Sequence, residues 1–324
     1  MNALRVHRRL AAVLLGAALT LAGCAAPAPA PDPRPARTRP AAPQKAVDAL
    51  LATALQRYTE GNVSQALAAA AAAAEQAPRR ADVAWLHARL CTAMPGCQPE
   101  PLDTRLRTLD PGNAAAWLGA LSNAQGRQDR AAEDQILAVM GQSERFDVYW
   151  NSIVARSAVA LGQATAQGPQ DQRPPGPAGP LTEGLEIATG WMSALAAAAL
   201  RPVTDACGPR RLAERAQRCA RVAEVLRRGD SWLVEGIGLG IGERVYAAGT
   251  AGAKAVAEQI RRSRYQRDLA GELITAQIEK EKFSKELIEL MFELPREQDV
   301  FLAILRWAGQ PLEPPPGWAP PASP

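Results

Sequence analysis

Histidine is almost missing from this chain: two occur in 324 residues, and one of them, His7, sits in an arginine-rich N-terminal segment. His87 is left alone to serve the body of the protein, so a histidine-based metal cluster has no ligands to draw on. Runs of β-branched residues that would mark a sheet are few, which turns the fold toward helices. Phosphate-cradling loops are excluded as well. Gly236, Gly238, Gly240 and Gly242 alternate with apolar residues, but a G-x-G-x-x-G loop needs glycine where Ile241 stands, and no Walker lysine accompanies them. Close helix packing is the expected use of these glycines. The apolar run from Leu10 to Ala22 holds thirteen residues, short of the roughly 20 a spanning helix requires.

What that short run does have is context. Arg5, His7, Arg8 and Arg9 precede it and Leu21-Ala22-Gly23-Cys24 closes it, the layout of a signal peptide. Residues 21 to 24 resemble the bacterial lipobox, in which the cysteine is alkylated by diacylglycerol and the chain is cut before it. The resemblance implies residues 1–23 as the signal, Cys24 as the lipidation site, and a membrane contact made through acyl chains. Ala25 follows where aspartate would favour the inner membrane, so the implied address is the outer membrane of a Gram-negative cell, facing the periplasm. Loss of Arg5, Arg8 and Arg9 with the signal lowers the formal net charge from +4 to +1. The basicity is then largely a targeting device, and no nucleic acid is expected as a partner.

With Cys24 committed to lipid, four of five cysteines remain, and an oxidising compartment favours disulfides over metal ligands for an even set. Cys91 and Cys97 flank a Thr-Ala-Met-Pro-Gly turn that can bring them together, which leaves Cys207 and Cys219. A helix starting right at Pro209 would carry Cys219 about 15 Å along its axis. That second bridge therefore requires residues 207 to 211 to fold back. Neither pair has the C-x2-C spacing of a zinc site, and no metal or other cofactor is expected.

Residues 24–44 form a tether with prolines at 27, 29, 31, 33, 35, 40 and 43, extended enough in polyproline II geometry to hold a folded body up to roughly 60 Å from a bilayer. From 45 to 162 the pattern is helical and repetitive. Trp85, Trp117 and Trp150 recur at spacings of 32 and 33, and Pro78 and Pro111 stand 33 apart, about the length of one helical hairpin. Gly61-Asn62, Ala66, Ala70, Ala73 and Pro78 resemble the second half of a tetratricopeptide repeat, and Asp110-Pro111-Gly112-Asn113 with Trp117, Gly126, Asp129 and Ala131 resembles the boundary and body of another. The tryptophans are expected to fill equivalent interior positions between hairpins. Residues 163–180, rich in Gly, Pro and Gln, read as a linker. A further helical region follows over 181–309, and residues 310–324, with seven prolines, read as a disordered tail. The expected fold class is all-α, a tetratricopeptide-like helical-hairpin solenoid followed by more helices.

Chemistry is harder to find. Gly229-Asp230-Ser231 resembles the nucleophile block of GDS-type esterases, yet no histidine follows it, so Ser231 or Asp230 is expected to cap a helix instead. Lys254, Arg261, Arg262, Arg264 and Arg267, diluted by Glu258 and Asp268, read as a solvated helix face. No catalytic residue is expected. The resemblance to tetratricopeptide scaffolds implies a groove for a periplasmic or envelope protein, with Asn123, Asn151 and Arg156 as partner-binding residues on the helices that line it. A cell-wall enzyme with an accessory repeat module, or a purely structural envelope protein, is the alternative.

Overall fold

A computed structural model describes residues 42–167, 179–278 and 280–319; Cys24 and most of the tether and linker lie outside them. Alanine-rich segments with apolar residues at helical spacing form α1 (Ala42–Thr59), α2 (Val63–Gln76), α3 (Ala81–Ala93), α4 (Glu100–Leu109), α5 (Leu118–Gly126), α6 (Arg130–Met140) and α7 (Trp150–Gln167). Then come α8 (Pro180–Ala206), α9 (Pro209–Leu226), α10 (Trp232–Val245), α11 (Ala251–Gln277), α12 (Glu281–Glu293) and α13 (Glu297–Trp307). The protein is all-α: among the described residues the sole β pairing is an isolated bridge between Asn113 and Arg145.

The punctuation read from the sequence is where these helices begin and end. The Asn113 side chain accepts the N–H of Ala115 at the start of a short 3-10 turn, Ala114–Trp117, and Asp129 accepts that of Ala132 at the start of α6. Ser231 caps α10 by accepting the N–H of Val234. It is fully buried, a placement that suits a cap and not an exposed nucleophile. Within the helical region read over 181–309, α11 ends at Gln277 and α12 starts at Glu281.

Small residues set the close approaches. Ala66, Ala70 and Ala73 give α2 a thin buried face, and Trp85 of α3 is completely enclosed in the same core. Gly184 lies so near α7 that an added Cβ would stand 2.5 Å from the Ala158 carbonyl oxygen. On α10, Gly238 packs against the end of α9, where a Cβ would meet Leu226 Cβ at 2.7 Å; this is the close packing expected of the glycine run.

The helices pair in sequence order at first, α1 on α2, α2 on α3 and α3 on α4. In an open solenoid each unit touches only its neighbours. Here the chain returns: α7 packs along α1, and α8 touches α1, α5, α10 and α12 as well as α7. The helices on either side of residues 168–178 thus share one core. Of the tail read as disordered, residues 310–319 rest on α11, where Gln266 donates to the Leu312 carbonyl at 2.8 Å, Arg262 pairs with Glu313 and Trp318 meets the edge of Tyr265.

Both expected disulfides are formed, Cys91–Cys97 with a Cα separation of 5.4 Å and Cys207–Cys219 with 5.6 Å. The second closes even though α9 begins at Pro209, with the Arg211 N–H bonded back to the Gly208 carbonyl at 3.0 Å.

Candidate functional site

The start of α1, the α2–α3 connection and the start of α7 converge on a cleft of ≈ 620 Å³. Its charged wall is built from Arg80 before α3, Asp82 in the first turn of α3 and Arg156 on α7, and Asp48 of α1 pairs with both arginines. Arg80 bridges the two acids: one terminal nitrogen donates to Asp48 at 2.8 Å, while Nε and the other meet both oxygens of Asp82 at 3.0 and 2.6 Å. This fork engages Asp82 with both oxygens, a geometry suited to guanidinium. Ser152 adds a hydrogen bond to Asp82 at 2.8 Å, and the Val83 N–H a further one. Burial works to raise the Asp82 pKa, but the Arg80, Ser152 and Arg156 interactions outweigh it and hold the carboxyl below its ordinary value.

Arg156 is held more loosely. It reaches Asp48 at 3.4 Å and Ser152 at 3.3 Å, and its guanidinium lies 5.4 Å from the ring of Phe292, itself 47% exposed. Tyr149 completes the wall with a backbone φ of 59°, a conformation that costs energy for a bulky residue. Its neighbours hold it there. The phenol donates to Asp110 at 2.6 Å, accepts from Asn113 at 3.1 Å, and the ring meets the edge of Trp85. Burial and the Asp110 bond push its pKa up, so it stays a neutral donor.

Of the residues expected to bind a partner, only Arg156 lines this cleft. Asn151 is corrected: it is 2% exposed and its amide donates to the Leu294 carbonyl at 2.8 Å, closing the end of α12. One residue along a helix turns a side chain by about 100°, enough to move Asn151 from surface to core. Asn123 stands half-buried on α5 and is not part of the cleft. Cys24 lies outside the described residues. The tryptophans divide: Trp85 and Trp150 are buried, whereas Trp117 is half-exposed with Arg107 over its ring at 4.6 Å.

The acids at the heart of the cleft were missed, although a signal was present. Asp48 and Asp82 stand 34 residues apart, close to the spacing of the tryptophans, and both pair with Arg80. His87 is half-buried, with its pKa lowered by burial and by Arg105. The residues of the basic stripe on α11 are partly paired, Arg261 with Glu258 and Arg262 with Glu313. No group of three or more potential metal ligands gathers among the described residues.

Comparison with known proteins places no relative beside this architecture. No protein-family description, no curated protein and no solved structure matches the chain.

Proposed function

We propose that the chain is a lipoprotein held at Cys24 in the outer membrane of a Gram-negative cell, and that its helical body is a non-catalytic scaffold for a periplasmic or envelope protein. The cleft carries the scaffold half of the proposal. Its acids are engaged by arginine and Asp82 is held ionised, which suits ion-pair exchange with a ligand better than proton transfer. Arg156, with a long contact to Asp48 and an exposed aromatic beside it, is the side chain freest to meet a carboxylate on a partner.

A photo-crosslinker at Gln76, on the cleft wall, tests this in membranes. The expected result is one dominant envelope protein captured by the wild type and lost on Arg156→Ala, with unfolding free energy lowered by no more than about 1 kcal/mol. Unaltered capture would reject the cleft as the site. The anchor is tested apart from it: Cys24→Ala is expected to abolish metabolic lipid labelling, and a mutant that still partitions into detergent like the wild type would overturn it.

A further inference from the structure

The segment that follows α13 is set in place by two turns. Gly309, at φ 66°, closes α13 by sending the Gln310 N–H to the Leu305 carbonyl at 2.9 Å, which fixes the angle at which the chain leaves the helix. Further on, Gly317 at φ 78° lets the Trp318 N–H reach the Pro315 carbonyl at 3.1 Å. Trp318 is thereby turned onto Tyr265 of α11, the two rings meeting edge on with centroids 5.3 Å apart. Between the turns, prolines stand at 311, 314, 315 and 316.

Three side chains of α11 meet this strand. Arg262, Tyr265 and Gln266 are spaced i, i+3, i+4 and so share one face. Gln266, 8% exposed, donates to the Leu312 carbonyl at 2.8 Å, Arg262 Nε meets the Glu313 carboxylate at 2.8 Å, and Pro314 is buried. Proline removes N–H donors and leaves the carbonyls free, so a proline-rich strand offers acceptors to a face that carries an amide donor and an aromatic ring. Charge agrees with this. Glu313 is the one charged side chain in residues 310–324, and it lies against a helix on which Arg262, Arg264 and Arg267 are all exposed.

Side chains alone hold the strand to α11. Among the described residues, the backbone bonds made by Gln310 and Trp318 stay within α13 and the strand itself, and the Arg262–Glu313 pair is open to solvent on both sides. A segment held in this way opens at low cost, and one of the same chemistry from another chain can take its place.

We propose that Arg262, Tyr265 and Gln266 form a docking site for a proline-rich segment with an acid directly before proline. Residues 310–319 occupy it in cis as a strap, and a partner protein bearing such a segment displaces them. None of these residues lines the cleft. Because a tethered segment competes at an effective concentration of about millimolar, the strap sets a threshold that only an abundant or multivalent partner passes.

Fluorescence anisotropy on the full chain, with a labelled synthetic peptide of residues 310–319 as probe, tests this. Glu313→Ala with Trp318→Ala loosens the strap, and this chain is expected to bind the peptide about tenfold more tightly than the wild type, the worth of an exposed ion pair and an aromatic edge contact together. A peptide with alanine in place of Pro311, Pro314, Pro315 and Pro316 is expected to bind the loosened chain about fivefold more weakly than the native one. Adding Arg262→Glu is expected to weaken the native peptide about threefold and to favour a Glu313→Arg peptide instead. Glu313→Ala alone, at an exposed position, is expected to give an intermediate affinity at an unchanged melting temperature, which keeps the test independent of folding. The proposal is overturned if the loosened chain leaves the peptide unbound at millimolar concentration, if the alanine peptide binds as well as the native one, or if the wild type binds as tightly as the loosened chain. A wild-type chain that forms dimers by exchanging its own tails would make the occupant a second copy and would overturn the assignment to a partner.

Discussion

The carboxylate of Asp230, at the entry to α10, accepts the N–H of Trp150, the first residue of α7, at 2.8 Å. Its other oxygen takes the N–H of Val148 at 3.1 Å, and its own backbone joins Phe146 and Glu297. A single buried acid thus holds the start of α7 from eighty residues away in sequence, beside Ser231, the cap of α10.

Replacing Asp230 by alanine leaves both N–H groups without an acceptor. At about 1–3 kcal/mol for each buried unsatisfied group, the loss is expected to be roughly 2–5 kcal/mol. Urea unfolding of Asp230→Ala measures it. A change below about 0.5 kcal/mol would mean that other groups or water replace the carboxylate.

Burial, reinforced by Asp147, pushes the Asp230 pKa up to about 8, and burial pushes that of Glu297 up to about 7. Both exceed the ordinary carboxylate range, so across the interval from about pH 4 to pH 8 the folded state holds protons that the unfolded chain has released. Their contribution to stability is present in full near pH 4 and is lost as pH rises through 7 and 8. Asp82 acts in the opposite sense, adding stability that disappears on acidification below about pH 4. Melting temperature between pH 5 and pH 8.5 is expected to fall, and to fall less steeply in Glu297→Gln. A rise over that interval would contradict the assignment.

The three tryptophans are not equivalent in burial. Trp85→Ala removes a completely enclosed ring and is expected to destabilise by about 3–5 kcal/mol. Trp117→Ala, losing a half-exposed ring and its Arg107 contact, is expected to cost about 1–2 kcal/mol. Equal losses at both sites, measured by chemical denaturation, would contradict this ordering.

The bridge Cys207–Cys219 closes a short loop, for which chain entropy gives a stabilisation of roughly 2–3 kcal/mol. Cys207→Ala with Cys219→Ala is expected to lower stability by about that amount, plus the contacts of two buried sulfurs. Removing the Cys91–Cys97 bridge in the same way provides the comparison by thermal melting.

Helix class, turn positions, caps and disulfide pairing were legible in the sequence because each is decided within a few residues. Asp129 and Ser231 cap through their immediate neighbours, and the Cys91–Cys97 turn needs nothing beyond its own loop. What the pattern could not convey is which distant surfaces meet. Nothing in the spacing of Trp85, Trp117 and Trp150 announces that α7 turns back along α1, or that Asp230 reaches Trp150. Asn151 shows the cost of phase: a shift of one position separates a groove residue from one bonded to Leu294. The cleft was only partly legible for the same reason, since Arg156 faces it from α7 while Asp48, Arg80 and Asp82 come from helices more than seventy residues earlier.

The return of α7 onto α1 also sets an order of events during synthesis. α1 is made early and packs on α2, but part of its surface is covered only by α7 and α8, and α7 is itself sealed through Asp230 and the Leu294 carbonyl. Contacts so far apart in sequence close slowly, because the intervening chain must first be brought together. A nascent chain stalled before residue 150 therefore exposes the part of α1 that α7 and α8 cover, and one stalled before residue 230 leaves the start of α7 unclosed. Sensitivity to protease should persist until nearly the last helix has emerged, whereas an array of independent repeats would become resistant one unit at a time.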